Sequence, residues 1–367
     1  MTASFPIYLV STPGLETPLC EEALENGFDS ARVTDGGVTF EGTWADVWRA
    51  NLVLRGPTRI LARFAEFRAM HLAQLDKRSR KIPWGDFLSR DVPLRVEASC
   101  KRSRIYHAGA AAQRVATAIT EEFGAPINED AALRVMVRIE DDLVTLSIDT
   151  TGESLHKRGF KEAVNKAPMR ETMAAMFLRQ CGFEGAEPVL DPMCGSGTFV
   201  IEAAEIASGL IPGRQRNFAF ESLPSFDAKA FAALRTDSPA ITPTVLFHGS
   251  DRDAGAVRMA TENATRSGVD AITRFEQKSI EELEPPPGPP GFVILNPPYG
   301  TRIGDKAPLV SLHRTLGKVL KTRFAGWRVG IITADKSLAQ ATGLKFEPAL
   351  PPVLHGGIRV ALYRSQL

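Results

Sequence analysis

The chain has 367 residues, enough at about 150 per domain for two to three domains and a large buried core. Apolar residues make up 44% and charged residues 24%, ordinary globular values that exclude a disordered, collagen-like or disulfide-scaffold protein. Lys and Arg number 44 against 43 Asp and Glu, so the +1 total gives no sign of a uniformly basic nucleic-acid binder.

In chain order, Pro6 to Thr12 reads as a short apolar strand and Gly14 to Gly27 as a helix. Val33 to Phe40 contains Asp35-Gly36-Gly37, a hairpin-type turn. Trp44 to Leu54 is helical by period. Arg59 to Glu66 and Leu94 to Ser99 read as strands, with a basic helical stretch between them. Gly109 to Phe123 is an Ala-rich helix, followed by strands Arg134 to Glu140 and Leu143 to Asp149 joined at Asp141-Asp142. Gly152 to Gly182 is a connector with a basic face, and it ends in a helix starting after Pro168.

From Ala186 strands and helices alternate, the pattern of a doubly wound α/β sheet. The strands are Glu187 to Asp191, Pro243 to Gly249, Thr273 to Gln277, Gly291 to Leu295 and Trp327 to Thr333. Leu344 to Glu347 and Gly357 to Tyr363 form an expected antiparallel end.

The four cysteines form no C-x-x-C pair and the six histidines are scattered, so no metal site is expected. The start lacks a basic segment followed by an apolar one, and no apolar run approaches the roughly 18 residues of a membrane span. A cytoplasmic protein is the expectation.

Two turns carry chemistry. Asp191-Pro-Met193-Cys194-Gly195-Ser196-Gly197-Thr198 joins a strand to a helix, and its glycines let a ligand approach the backbone and the helix N-terminus. Val200 replaces the third glycine of a dinucleotide fingerprint, and a carboxylate before the glycines suits a cationic ligand better than a pyrophosphate. A second acid should hold ribose hydroxyls from the end of the next strand. Asp251 fits, with residues 207–241 as an insertion; Glu221 is the rival, and Asp253 is a helix cap.

The second turn is Asn296-Pro297-Pro298-Tyr299, after the buried strand Phe292 to Leu295. The prolines stiffen the turn. Asn296 offers a side-chain oxygen and Pro297 a carbonyl, two acceptors for the two hydrogens of a planar amine. Tyr299 offers a ring on which a flipped base can stack.

These turns resemble motif I and motif IV of class I S-adenosylmethionine methyltransferases that modify exocyclic amines. Ile7 to Glu22, Gly36 to Phe40, Ala50 to Arg55, Arg95 to Ala112, Ser147 to Phe160 and Lys166 to Glu171 resemble the front of THUMP-containing RNA methyltransferases. The likeness is strongest to guanine-N2 methyltransferases of large-subunit ribosomal RNA, of the bacterial RlmL type.

This resemblance implies an α/β fold: a Rossmann-like class I methyltransferase domain on a seven-stranded, mostly parallel sheet, after an α+β ferredoxin-like/THUMP RNA-binding region. Expected boundaries are 1–58 for the ferredoxin-like segment, 59–151 for THUMP, 152–185 for the connector and 186–367 for the catalytic domain. It implies S-adenosylmethionine as cofactor, with Pro168, Glu171, Arg252, Ser279 and Ile280 joining the motif I loop and Asp251 around it. Ser279 stands where the family usually has an acid for the adenine amine. The implied partner is structured RNA, ribosomal or transfer. Alternatives are a transfer RNA guanine methyltransferase, a DNA adenine methyltransferase, and a non-catalytic RNA-binding or ribosome-assembly protein.

Local charge supports an RNA partner. From Lys77 to Arg114 ten Lys and Arg accompany three acids, a net of +7. Lys101, Arg102, Arg104 and His107 are the candidate RNA contacts there, with Lys157, Arg158 and Lys161 in the connector.

Overall fold

The computed structural model describes residues 4–162, 169–236, 241–298 and 307–367. The chain divides into two units. The first comprises Met1–Ser11, Leu19–Leu155 and Arg216–Asp237; the second comprises Thr12–Pro18, His156–Gln215 and Ser238–Leu367.

Up to Asp149 the elements are β1 (Phe5–Val10), α1 (Glu16–Glu25), β2 (Arg32–Thr34), β3 (Gly37–Gly42), α2 (Trp44–Val53), β4 (Arg59–Arg68), α3 (Leu72–Ser79), β5 (Leu94–Lys101), α4 (Ala108–Phe123), β6 (Leu133–Glu140) and β7 (Leu143–Asp149). The strands form one seven-stranded sheet, ordered β2-β3-β1-β4-β7-β6-β5, in which only β5 and β6 run parallel. Strand β6 alternates buried and half-buried residues along its whole length, as a strand with one face on the core must. Strand β1 pairs with β4, so the expected boundary between residues 58 and 59 falls within a continuous sheet. The β6–β7 turn puts Asp141 (φ 50) and Asp142 (φ 61) in the left-handed region, which a two-residue hairpin of this hand requires and which Asp tolerates.

The second unit contains α5 (Glu171–Gln180), β8 (Val189–Asp191) and α6 (Thr198–Ala207). Helix α7 (Ala228–Thr236) follows, but the residues from Arg216 onward belong to the first unit. There Phe218, Phe220, Phe226 and Phe231 cluster with Trp48 of α2, and the Phe220 amide donates to the Thr150 carbonyl at 3.0 Å. The insertion expected in the catalytic half is thus a structural part of the N-terminal one.

The second unit continues with β9 (Phe247–Asp251), α8 (Ala254–Ser267), β10 (Thr273–Gln277), β11 (Phe292–Leu295), α9 (Ala307–Arg323), β12 (Arg328–Thr333), α10 (Lys336–Ala341), β13 (Val353–His355) and β14 (Ile358–Gln366). Its sheet has the order β10-β9-β8-β11-β12-β14-β13, parallel except for β14 and β13. All four residues of β11 are buried, the pattern of a strand covered on both faces.

Two expectations need correction. Strand β9 covers Phe247–Asp251 and not Pro243 to Gly249, because its pairing with the three-residue β8 begins at Val189 opposite Phe247. Leu344 to Glu347 is not a strand. It makes isolated bonds to β14 (Glu347 amide to Arg364 carbonyl, 2.8 Å), and Pro348, Pro351 and Pro352 delay the ladder until β13. Among the described residues, no helix is long and apolar enough to cross a membrane, and no cluster of His, Cys, Asp or Glu has the makings of a metal site.

Candidate active site

Strands β8, β9 and β10 extend the sheet one way and β11 and β12 the other, so the topological switch lies between β8 and β11. Open α/β sheets bind ligands at the carboxyl ends of strands at such a switch. Here those ends carry Asp191 on β8, Asp251 on β9 and Asn296 just past β11. The topology therefore gathers three residues separated by 60 and then 45 positions in sequence.

Asp191 is 3% exposed and accepts from the Met193 amide at 3.0 Å. Burial pushes its carboxyl up to about 8, and the charge of Asp251 pushes the same way. Asp251 Oδ2 accepts from the Gly195 amide at 3.1 Å, and Oδ1 from the Asp253 amide at 3.0 Å. Asp253 caps α8, as expected. Gly195 (φ 51) opens onto space in which an added Cβ would meet nothing within 4 Å, a cradle beside both acids. Gly197 (φ 84) has the opposite role: a Cβ there would lie 3.0 Å from that of Ala260, so it lets the loop pack on α8.

Cys194 is buried, its amide bonds the Ser250 carbonyl at 3.0 Å, and burial raises its thiol well above the ordinary range. It is a packing residue and not a thiolate nucleophile. The Ser196 carbonyl accepts from the buried Asn263 Nδ2 at 3.1 Å. Asn263 was missed in the sequence, although a polar residue on the Ala256–Ala260–Ala264 face of α8 is a usable signal. The fit to a ligand with a cationic end and a polyhydroxyl group rests on this set: a buried acid, an open glycine and a second acid at the next strand end.

At the third strand end, Asn296 Oδ1 is buried and has no hydrogen-bond partner among the described residues. A buried acceptor left unmet costs about 1–3 kcal/mol, so it points to a donor brought by a ligand. Pro297 is buried beside it and Pro298 is exposed; Tyr299 lies outside the described residues.

The connector contributes more than a basic face. Lys161 Nζ lies 2.7 Å from Thr198 Oγ1, 3.0 Å from Glu171 Oε1 and 3.2 Å from the Met169 carbonyl. Glu171 opens α5 and Thr198 opens α6, so one ammonium ties two helix starts together beside the glycine loop. Arg158 and Glu202 form a pair with both side chains 1% exposed. Arg158 and Lys161, expected at the RNA surface, are therefore corrected: buried carboxylates draw both cations inward. Lys157 is exposed, and Pro168 lies outside the described residues.

Beyond β10, Ser279 is less available than expected. Its hydroxyl and amide both bond Glu282 Oε2 at 2.9 Å in a capping box. Its oxygen can still accept from an amine, but its proton is committed. Ile280 is buried next to it. Arg252 is exposed, and its carbonyl accepts from Gln277 Nε2 at 3.1 Å. Glu221 caps a turn in the first unit, where its Oε1 accepts from the Phe218 amide at 2.8 Å.

On the first unit, Lys101 pairs with Glu140 and Asp35, and Arg102 with Glu140 and Asp141. His107 Nδ1 accepts from the Ala110 amide at 3.0 Å as the cap of α4. Arg104 stands out more, with its side chain 72% exposed and its nearest carboxylate 4.0 Å away.

Comparison with known proteins adds the following. The family described as "RMKL-like, methyltransferase domain" matches residues 158–350, and "RlmL ferredoxin-like domain" matches residues 6–61. The ribosomal RNA large subunit methyltransferase K/L of Syntrophotalea carbinolica is 33% identical over 94% of this chain and 51% of its own. The chain thus spans about half the length of the K/L relatives it matches. A Synechocystis sp. protein provisionally named an RNA methyltransferase is 30% identical over 99% of this chain and 97% of its own. A crystal structure titled as SMU.472, provisionally a methyltransferase, complexed with SAH, is 27% identical with a TM-score of 0.89, covering 100% of this chain and 99% of that one.

Proposed function

Because this chain belongs to the RMKL-like methyltransferase family, we propose that it methylates the exocyclic 2-amino group of a guanosine in structured RNA, foremost large-subunit ribosomal RNA, in the cytoplasm. The catalytic unit is a Rossmann-like methyltransferase domain and its cofactor is S-adenosylmethionine. The observation that carries the reading is the buried Asn296 Oδ1, without a hydrogen-bond partner among the described residues, at the strand end across the switch point from Asp191.

The cofactor supplies an electrophilic methyl on a sulfonium. Asp191 would hold its cationic amino-acid end and Asp251 its ribose hydroxyls, and the open space at Gly195 would let the backbone approach it, a reading supported by the two acids flanking that glycine loop. The guanine amine is a weak nucleophile because its lone pair is delocalised into the ring. Asn296 Oδ1 and the Pro297 carbonyl accept its two hydrogens, which favours a pyramidal nitrogen aimed at the methyl. Their partial negative charge matches the positive charge that grows on that nitrogen. The methylated amine is acidic and sheds its proton readily, so no strong base is required.

Nucleoside mapping by mass spectrometry tests this. Ribosomal and transfer RNA from a deletion strain should lack N2-methylguanosine at one site of the large-subunit RNA. The wild-type gene should restore it and Asn296→Ala should not. Loss of a methyladenosine, of a transfer RNA mark, or of no mark would overturn the corresponding part of the reading.

A further inference from the structure

The basic stretch of the first unit contains one side chain that neither the fold nor the phosphate argument uses. Tyr106 is 85% exposed. Its neighbours hold it outward: Ile105 is 4% exposed and anchored in the core, and His107 caps α4. The rest of the loop is tied down. Ser103 Oγ donates to the Lys101 carbonyl at 2.8 Å, the Asp142 amide donates to Ser103 Oγ at 3.1 Å, and the Arg104 amide donates to Asp142 Oδ1 at 2.8 Å. Arg102 holds a left-handed φ of 48 and is locked by Asp141. This is a preorganised loop presenting an aromatic ring to water.

The surroundings say what the ring suits. Arg104 reaches out two residues away, with Nη1 3.6 Å from the sulfur of Met70, itself 44% exposed. Lys101 and Arg102 are already neutralised by acids. A guanidinium beside a thioether, and an exposed aromatic ring two residues further along the chain, combine a cation and a stacking face on one loop; Arg104 and Tyr106 both belong to the segment 77–114 of net charge +7. Stacking by an aromatic ring with a cation alongside is how proteins hold unpaired nucleotides. In a continuous helix the base faces are covered by their neighbours, and only unstacked bases are open to a side chain.

We propose that Tyr106 is a base-stacking residue and Arg104 its phosphate contact, so that the first unit selects RNA carrying an unpaired nucleotide in a loop, bulge or end. This rests on the RNA reading above and adds the feature of the RNA that is recognised.

The test uses the full chain and two RNA hairpins that differ only in a short single-stranded extension, titrated by fluorescence anisotropy across a salt series. Wild type should prefer the extended hairpin. Tyr106→Ala should lose roughly 5- to 150-fold on that RNA alone, with an unchanged salt slope, because stacking releases no counterions. Tyr106→Phe should retain the preference, since the ring and not the hydroxyl stacks. Arg104→Ala should lower the salt slope by about one. A Tyr106→Ala variant that is folded by circular dichroism and binds both RNAs as wild type, or weakens equally on both, overturns the proposal while RNA methylation stands. Wild type that binds neither RNA overturns both.

Discussion

Lys161 donates to Thr198 Oγ1 across 2.7 Å and at the same time pairs with Glu171 at 3.0 Å, with the Lys161 and Glu171 side chains 8% and 5% exposed. The ammonium thereby joins the first residues of α5 and α6 beside the glycine loop. Lys161→Met leaves the Glu171 carboxylate buried without its cation, which costs about 3–5 kcal/mol in such sites. The expected result is a lowered denaturation midpoint and at least tenfold weaker cofactor binding by calorimetry. The double variant Lys161→Met/Glu171→Met should recover most of the stability but not the affinity. A double variant no more stable than the single one would refute the pairing.

Asn296→Ala should lower kcat by about a hundredfold or more, the scale of losing one preorganised acceptor or donor at a reacting atom. Cofactor affinity should stay within about threefold, because the two acids proposed to hold the cofactor end β8 and β9 whereas Asn296 follows β11. Parallel turnover and calorimetric measurements separate the two effects.

Asp191 makes the ligand-free protein sensitive to pH. Its folded carboxyl is raised from 3.8 to about 8, chiefly by burial. The stability this provides is complete below about pH 4 and is lost as the pH rises toward 8. Asp191→Asn should flatten that decline in urea titrations from pH 5 to 9. Cofactor affinity of the wild type should rise over the same range, because the ionised carboxylate is the form that meets a cation. Proton release on binding, read from buffers of different ionisation enthalpy, checks the sign.

Phe220 is fully buried, 6.4 Å from Trp48 and 5.1 Å from Phe231 between ring centres. Phe220→Ala should destabilise the first unit by about 3–5 kcal/mol in equilibrium unfolding. Protection from hydrogen exchange should fall in α2 as well as in α7, although the two helices are far apart in sequence.

Local and periodic features were legible in the sequence. The alternation along β6, the all-apolar β11, the acid before the glycine turn and the Asn-Pro-Pro turn each express themselves within a few residues. They were enough for the α/β class and for putting Asp191, Gly195, Asp251 and Asn296 at the strand ends and turns where the structure has them. Only the tertiary structure decided which cations are free. Arg158 meets Glu202 44 positions later, Lys161 meets Thr198 37 positions later, and Lys101 meets Asp35 66 positions earlier. The destination of residues 216–236 and the register of β9 were decided in the same way, by partners distant in the chain. The opening +1 says nothing about either, because a charge total cannot distinguish a cation facing solvent from one facing a buried carboxylate. That difference is a matter of burial and Coulomb partners, which exist only once the chain has folded.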